Sequence, residues 1–334
     1  MLTAKTILAA KKPEALFSSP ASGVSEDSLK KEFRALAKKW HPDTALGAGD
    51  VFSHIASLYG KGLDKIASGT WGAAGLLVLE GKKYPYLSSS PTDSGEVFVG
   101  EFFLAYFVKK EYFSPSDLMK NIPVLKYKDS SMEKEMARFL PHKEPLRAST
   151  PDGTYLVYEK SKGEFLLSDV VKAVASIPPK QGAWILSRLY NISCYLQWSG
   201  LVHCDINSGT VLINPVNHGL ALVGGWWNCH KEGDRISSLP SKTYSVLPQR
   251  FLEKKEAAHV FVQEQIKAVG RELFSPSVAG SGGPAAVRNF LDLPCASDKS
   301  AQFFFAKWYE DILVKAFGPK KFVPWDLSDK DVYK

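Results

Sequence analysis

The sequence has few cysteines and no long apolar run, which are the features that define disulfide-rich proteins and membrane-spanning proteins. The 334 residues include four cysteines, none of them in a C-x-x-C pair, namely Cys194, Cys204, Cys229 and Cys295. This spacing argues against a disulfide framework and a structural zinc site, and it favours a reducing compartment. No apolar run approaches the ~18 residues that a membrane-spanning helix requires. We therefore expect a cytoplasmic protein with no metal site and no membrane partner.

The charge balance is mildly basic, with 42 lysines and arginines against 35 acidic residues and a net charge of +7. This excess is modest, so we do not expect nucleic acid as a partner, although acidic surfaces are favoured. Hydrophobic residues make up 45% of the chain, which is ordinary for a soluble globular protein. The length predicts about two domains.

A pair of helices is predicted near the N-terminus. The first begins after Ser25, a good helix N-cap residue, and its apolar positions recur at helical spacing through Trp40. The first helix should end at His41-Pro42-Asp43, because proline disfavours helical geometry in the residue before it. A second helix follows, with one apolar stripe at Phe52, Ile55, Tyr59 and Leu63. The exposed face of the first helix carries the basic residues Lys30, Lys31, Arg34 and Lys38.

The basic helix, the His-Pro-Asp triplet and the pattern F-x-x-I-x-x-x-Y together resemble a J-domain over about residues 14–66. The resemblance implies docking on a DnaK-type chaperone and stimulation of its ATP hydrolysis. His41, Pro42 and Asp43 would be essential, and Lys30, Lys31, Arg34 and Lys38 would attract the chaperone electrostatically. One signature of the family, a paired tyrosine before a Leu-Gly turn, is missing, and the chain has PEALFSSPASG at residues 13–23 instead. The alternative reading is a simple helix stop beside a solvated lysine face.

The rest of the chain has strand-like aromatic and β-branched runs at 84–88, 96–103, 104–110 and 154–159, with a helix at 130–140. Longer helical patterns follow. We expect an α+β fold with two lobes. The predicted domains are a helical domain at 1–68, a linker at 69–80 and a second domain at 81–334. The lobes of the second domain cover about 81–160 and 161–334.

The segment LVHCDINSGTVLIN, residues 201–214, resembles the protein-kinase catalytic loop and the strand after it. The resemblance covers about residues 80–275 and implies a bilobal kinase-like fold. Asp205 would be the catalytic aspartate. Lys109 and Glu133, with Leu140 and His142 after the glutamate, would be the ATP-anchoring pair. Gly95 would end the glycine-rich loop, and residues 246–249 would stand near the A-P-E position.

Several positions depart from the kinase pattern. Thr210 stands where a metal-binding asparagine is expected, and Gly224, Gly225 and Trp226 replace the D-F-G triplet. Both protein ligands for magnesium are therefore lost, which predicts a pseudokinase. We expect no cofactor, and the sequence leaves open weak or metal-independent ATP binding. Trp226 and its neighbour Trp227 are predicted either to plug the vacated nucleotide site or to pack in the core.

Three functions follow from these resemblances. The first is a J-domain adaptor that recruits a DnaK-type chaperone to a client or assembly through its pseudokinase domain. The second is a divergent protein kinase or small-molecule phosphotransferase that uses Asp205 as base. The third is a structural or scaffold protein with neither activity.

Overall fold

A computed structural model describes residues 2–17, 25–43, 49–141, 143–275, 283–296, 299–319 and 321–333. The chain divides into two compact units, Met1–Ser88 and Ser89–Lys334. The class is α+β, as predicted. The division falls after the predicted linker at 69–80, and a strand occupies part of that linker.

The first unit is built on an antiparallel pair of helices. Helix α1 spans Ala4–Ala9, and a 3₁₀ turn covers Pro13–Ala15. Helix α2 spans Glu26–Trp40 and α3 spans Gly49–Ser68, which confirms the two predicted helices. Ser25 caps α2, since its side chain accepts a hydrogen bond from the backbone N–H of Ser28.

The core of the first unit lies between α1, α2 and α3. Its buried members are Ile7, Ala10, Leu16, Phe17, Leu29, Val51, Ile55 and Leu58. Phe33 and Tyr59 stack at 4.1 Å between ring centroids, which joins α2 to α3. Glu14 accepts hydrogen bonds from Lys65 Nζ at 2.6 Å and from the Gly72 backbone N–H at 2.8 Å. These bonds hold the N-terminal segment against the end of α3.

A β-hairpin follows α3, with β1 at Gly75–Leu79 and β2 at Lys82–Thr92. Glu80 and Gly81 form the two-residue turn, and both have positive φ, at 48° and 77°. This backbone matches the twist of the flanking strands. Strand β1 of this hairpin therefore occupies residues 75–79 of the predicted linker at 69–80.

The strand-rich part of the second unit is an antiparallel sheet in the order β3–β4–β6–β5. Strand β3 spans Gly95–Gly100, β4 spans Phe103–Lys109, β5 spans Leu146–Thr150 and β6 spans Gly153–Glu159. Two short helices, α4 at Pro115–Asn121 and α5 at Ser130–Met136, lie between β4 and β5 in the chain. The predicted strands and the helix near 130 are confirmed, whereas β5 was not predicted.

The helix-rich part has α6 at Leu167–Ala173, α7 at Pro179–Trp198, α8 at Ser241–Val246, α9 at Gln249–Lys254 and α10 at Val260–Leu273. Short strands lie beside them, with β7 at Phe165–Leu166, β8 at Leu201–His203, β9 at Val211–Asn214, β10 at Gly219–Leu222 and β11 at Cys229–Lys231. A 3₁₀ turn covers Trp226–Asn228. The strands pair as β10–β9–β7 and as β11–β8, so that the loop from β8 to β9 is held at both ends.

The segment after residue 275, which the kinase resemblance did not cover, belongs to this helical core. Helix α11 spans Ala285–Asp292 and α12 spans Ala301–Ala306; a π-helix then covers Lys307–Leu313, and α13 covers Val314–Phe317. A last turn, α14, spans Asp329–Val332. Trp308 is fully buried, and its Nε1 donates to Ser187 Oγ of α7 at 2.9 Å.

Candidate functional site

A cavity of about 330 Å³, called the cleft below, lies in the second unit. Residues 90–93 form one wall and residues 205–210 form another. Its charged lining residues are Asp93, Lys172, Asp205, Lys242 and Glu272, and aromatic lining comes from Tyr106 and Trp227. The cleft thus contains the predicted catalytic aspartate within a mixed-charge surface.

Asp205 lies in the loop between β8 and β9 and accepts hydrogen bonds from two amide side chains. One is Asn207 of the same loop, and the other is Asn228 of the 3₁₀ turn Trp226–Asn228. Asn207 Nδ2 donates to Asp205 Oδ1 at 2.7 Å, and Asn228 Nδ2 donates to Oδ2 at 3.2 Å. Burial nevertheless raises the pKa of Asp205 to about 7, against the opposing effect of the Asn228 hydrogen bond. Asp205 is therefore a carboxyl group that gains or loses its proton near neutral pH.

His203 is a packing residue at the base of this loop. Its Nδ1 accepts the backbone N–H of Asp205 at 3.2 Å, so its Nε2 carries the proton and donates to the Gly224 carbonyl at 3.1 Å. Burial lowers the pKa of His203 to about 3. The imidazole is neutral and both nitrogens are occupied, which leaves it no role as a base.

Gly224 and Gly225 stand where the kinase pattern has the first two residues of D-F-G, and they lie against side chains that line the cleft. A Cβ on Gly224 would overlap the ring of Tyr106. Gly225 has a left-handed backbone, with φ at 78°, and a Cβ there would lie 2.8 Å from Asp205 Cβ. Tyr106 therefore occupies the space that an aspartate side chain at position 224 would need.

The two tryptophans that follow separate into different environments. Trp226 is 2% exposed and packs in the helical core, where Nε1 donates to the Leu222 carbonyl at 3.1 Å. Trp227 lines the cleft and meets Tyr106 edge to face at 5.4 Å. Of the two predicted alternatives, packing in the core therefore applies to Trp226, whereas Trp227 lines the cleft, because successive residues of the turn point to opposite sides.

The predicted ATP-anchoring pair does not form. Lys109 lies at the exposed end of β4, and its Nζ contacts Glu111 Oε1 at 3.7 Å. Glu133 is exposed on α5, and no ion pair joins it to Lys109, both residues being described. The cleft-facing side chain of β4 is Tyr106, three residues before Lys109, which lies on the opposite face of the strand. His142, predicted after the glutamate, lies outside the described residues.

Gly95 and Thr210 have structural explanations. A Cβ on Gly95 would overlap the carbonyl oxygen of Phe107 across the β3–β4 pair, and Gly95 is not in the cavity lining. Thr210 Oγ1 lies 2.9 Å from the carbonyl oxygens of Asp205 and of Asn207. The threonine closes the 205–210 loop on itself.

The buried side chain of Gln265 holds the 205–210 loop through hydrogen bonds, a role that was not predicted from the sequence. Gln265, on α10, accepts the Ile206 backbone N–H and donates to the His203 carbonyl at 2.8 Å. It also contacts Thr243 Oγ1 at 3.1 Å. A polar residue within the apolar pattern of α10 was the available signal, since buried polar groups require partners.

The cleft residues do not fit a magnesium ion. Both oxygens of Asp205 accept hydrogen bonds from amides, and Asp93 accepts from the Ser241 backbone N–H and hydroxyl at 2.5 and 2.7 Å. Magnesium requires free oxygen ligands in octahedral geometry. Across the described parts of the chain, no three His, Cys, Asp or Glu side chains cluster in a way that could hold a metal ion.

Of the predicted chaperone-binding residues, the His41-Pro42-Asp43 triplet lies at the end of α2, in the first unit. His41 is the C-cap of α2, with an extended backbone, and its Nδ1 accepts the Asp43 N–H at 3.3 Å. The His41 and Asp43 side chains are 43% and 85% exposed. The His41 ring packs edge to face on Phe52 at 5.1 Å, so Phe52 contacts the triplet instead of the core. The basic residues Lys30, Lys31, Arg34 and Lys38 are all exposed on α2.

None of the described helices has the length and apolar character needed to cross a bilayer. No protein-family model and no curated protein matches the chain. Among solved structures, a crystal structure of Rad53 1–466 in complex with AMP-PNP matches with a TM-score of 0.43 and 14% identity. The match covers 64% of this chain and 61% of that one. The chain thus spans under two thirds of the length of the Rad53 structure that it matches.

Proposed function

We propose that this protein is a J-domain adaptor that recruits a DnaK-type chaperone, and that its second unit is a pseudokinase that selects a client or assembly. The exposed His41-Pro42-Asp43 triplet carries the proposal. It follows a basic helix directly and is held by its own hydrogen bond and by Phe52. Such a surface offers a fixed backbone shape beside a positive field for an acidic partner.

The geometry of the cleft supports a pseudokinase. Phosphoryl transfer depends on neutralising charge on the transferring group, mainly by metal ions and lysine. Here a tyrosine takes the cleft-facing position of β4, and Gly224 offers no carboxylate. Lys172 and Lys242 reach the cleft from the helical part of the second unit. They supply positive charge to the cleft, which is compatible with the binding of an anion.

The test is single-turnover ATP hydrolysis by a DnaK-type chaperone with the full chain, its His41→Gln variant and its Lys61→Gln variant. Lys61 is an exposed lysine on α3 and serves as the matched control. Stimulation by the wild type and by Lys61→Gln, lost in His41→Gln, would support the proposal. Equal rates with and without the protein, across several chaperones, would contradict it.

Asp205 supports a second candidate, a divergent phosphotransferase. Its carboxyl group faces the cavity and its pKa, raised to about 7 by burial, suits a general base. Incubation with labelled ATP, with and without magnesium, should then label a substrate, and Asp205→Asn should abolish that labelling. Labelling that persists in Asp205→Asn, or none at all, would remove this candidate.

A further inference from the structure

A second cavity, of about 200 Å³, lies in the helical part, between α7 and residues 309–319 and 321–323. One wall is the face of α7 that carries Lys180, Trp184 and Arg188, four residues apart and therefore aligned on one side of the helix. The opposite wall includes Tyr309, Leu313 and Phe317. The cavity shares no lining residue with the cleft around Asp205.

The aromatic groups at this cavity are held in fixed orientations. Trp184 and His218 stack at 4.6 Å with 8° between their ring planes, and His218 lies 4.3 Å from the ring of Phe322. Trp184 Nε1 donates to Gln181 Oε1 at 2.6 Å, which fixes the indole. A flat apolar surface is thus formed before any ligand arrives.

Two side chains hold residues 321–323 at the edge of the cavity. The carbonyl oxygen of Val323 accepts from His218 Nε2 at 2.9 Å and from Gln181 Nε2 at 3.0 Å. Tyr309 and Leu313 come from the π-helix Lys307–Leu313. Single turns of π-helix are rare and occur frequently at functional sites. Here the wide turn places an aromatic and an aliphatic side chain on the cavity wall.

The charged side chains that line this cavity are all basic. Lys180, Arg188 and Lys321 line it, and none of its described lining residues is an aspartate or glutamate. Arg188 donates through Nε to the His218 carbonyl at 3.4 Å, and its guanidinium makes no ion pair with any described carboxylate. The Arg188 guanidinium carbon lies 5.8 Å from the ring centroid of Phe139, and its terminal N–H groups can donate to an anion from outside.

We propose that this cavity binds a small organic anion that carries an aromatic ring, such as an aryl carboxylate. An apolar cavity of about 150 Å³ is known to hold benzene, so this volume suits one or two fused rings. The ring would lie against Trp184 and Phe317, and the carboxylate would face Arg188. The site is independent of the chaperone surface and of the cleft.

The test is isothermal titration calorimetry of the full chain with 2-naphthoate and with 2-naphthylmethanol, a neutral molecule of the same shape. Naphthoate should bind at least about tenfold more tightly, because a charge-assisted hydrogen bond favours only the anion. Arg188→Gln should remove that preference, whereas Lys172→Gln, which changes a lysine of the cleft, should keep it. This comparison of two ligands on the wild type does not depend on any variant folding.

Equal affinity for the acid and the alcohol would overturn the proposal, and so would an acid preference that survives in Arg188→Gln. Absence of heat with either ligand at millimolar concentration would also overturn it. Thermal unfolding of Arg188→Gln without ligand checks that the variant keeps its fold.

Discussion

Tyr106 donates a hydrogen bond from its hydroxyl to the carbonyl oxygen of Gly209 at 2.8 Å. The bond joins strand β4 of the sheet to the 205–210 loop of the helical part. Tyr106 is 1% exposed, and burial raises its pKa, so the phenol stays protonated and remains a donor at any ordinary pH. One side chain therefore both lines the cleft and connects strand β4 to the 205–210 loop.

Removing that hydroxyl should weaken the connection without opening a large hole. We expect Tyr106→Phe to lower the free energy of unfolding by about 1 kcal/mol, because the Gly209 carbonyl loses its partner. Urea denaturation measures this loss. Tyr112→Phe is the control, since Tyr112 is 55% exposed and should be neutral. An effect of equal size at both positions would contradict the role given to Tyr106.

The competition between Tyr106 and position 224 for the same space predicts strong coupling. Gly224→Asp alone should destabilise the fold, because its Cβ would overlap the tyrosine ring. Tyr106→Ala should relieve that overlap, so the double variant should be more stable than the sum of single effects by about 2 kcal/mol. A double-mutant cycle in urea measures the coupling. Additive effects would show that the two side chains do not compete.

The same pair shows what sequence reasoning could and could not predict. The helices α2 and α3 were predictable because their apolar residues recur at a clear helical period and Pro42 marks the end of the first. Strand β4 reads Phe-Leu-Ala-Tyr-Phe-Val-Lys, where nearly every residue is apolar. Without alternation, the residue that faces the cleft cannot be read from the pattern, and the nearest lysine was chosen.

Some residues of the candidate site were also predictable from the sequence, and others were not. Asp205 was predicted, and it does line the cleft, because the segment around it has a distinctive order of residues. Gln265 and Tyr106 were missed, because their roles come from contacts between segments 59 and 103 residues apart. Trp226 and Trp227 were treated together, although a 3₁₀ turn sends them to different cores.

Asp205 should titrate near neutral pH. Its pKa in the folded protein, raised to about 7 from an ordinary 3.8 by burial, means that the folded form holds the proton more tightly than the unfolded form. This contribution to stability is full below the ordinary value and is lost as pH rises toward 7. Carbon-detected NMR of the Asp205 carboxyl should show an inflection near that value.

Asp205→Asn removes this pH dependence. The stability of the wild type relative to Asp205→Asn should therefore fall as pH rises from about 4 to about 8. A constant difference between wild type and Asp205→Asn would contradict the raised pKa.

If the J-domain proposal holds, the basic face of α2 should increase the rate of association with the chaperone. Arg34→Glu should weaken association with the chaperone by about tenfold at low salt and much less at high salt, because exposed charges are screened. Saturating concentrations of this variant should restore full stimulation, unlike His41→Gln. Stopped-flow association at two ionic strengths makes the measurement. A defect that does not depend on salt would contradict electrostatic steering.

Gln265 does not line the cleft, but its hydrogen bonds to the 205–210 loop and to His203 should contribute strongly to the stability of the fold. Gln265→Leu leaves the Ile206 N–H and the His203 carbonyl without their partners, and we expect a loss of about 3 kcal/mol. Gln249→Leu, at an exposed position, is the control. Thermal and urea unfolding measure both variants. A small loss at Gln265 would mean that water replaces its hydrogen bonds.

The burial of Trp308 against α7 has a consequence for synthesis on the ribosome. Helix α7 ends at Trp198, yet the residue that packs on its Ser187 is translated over a hundred codons later. The helical part of the second unit cannot complete its core until the ribosome has passed that point. The first unit has its own core and can fold long before then. The nascent chain therefore presents a finished helical pair while its larger unit is still incomplete.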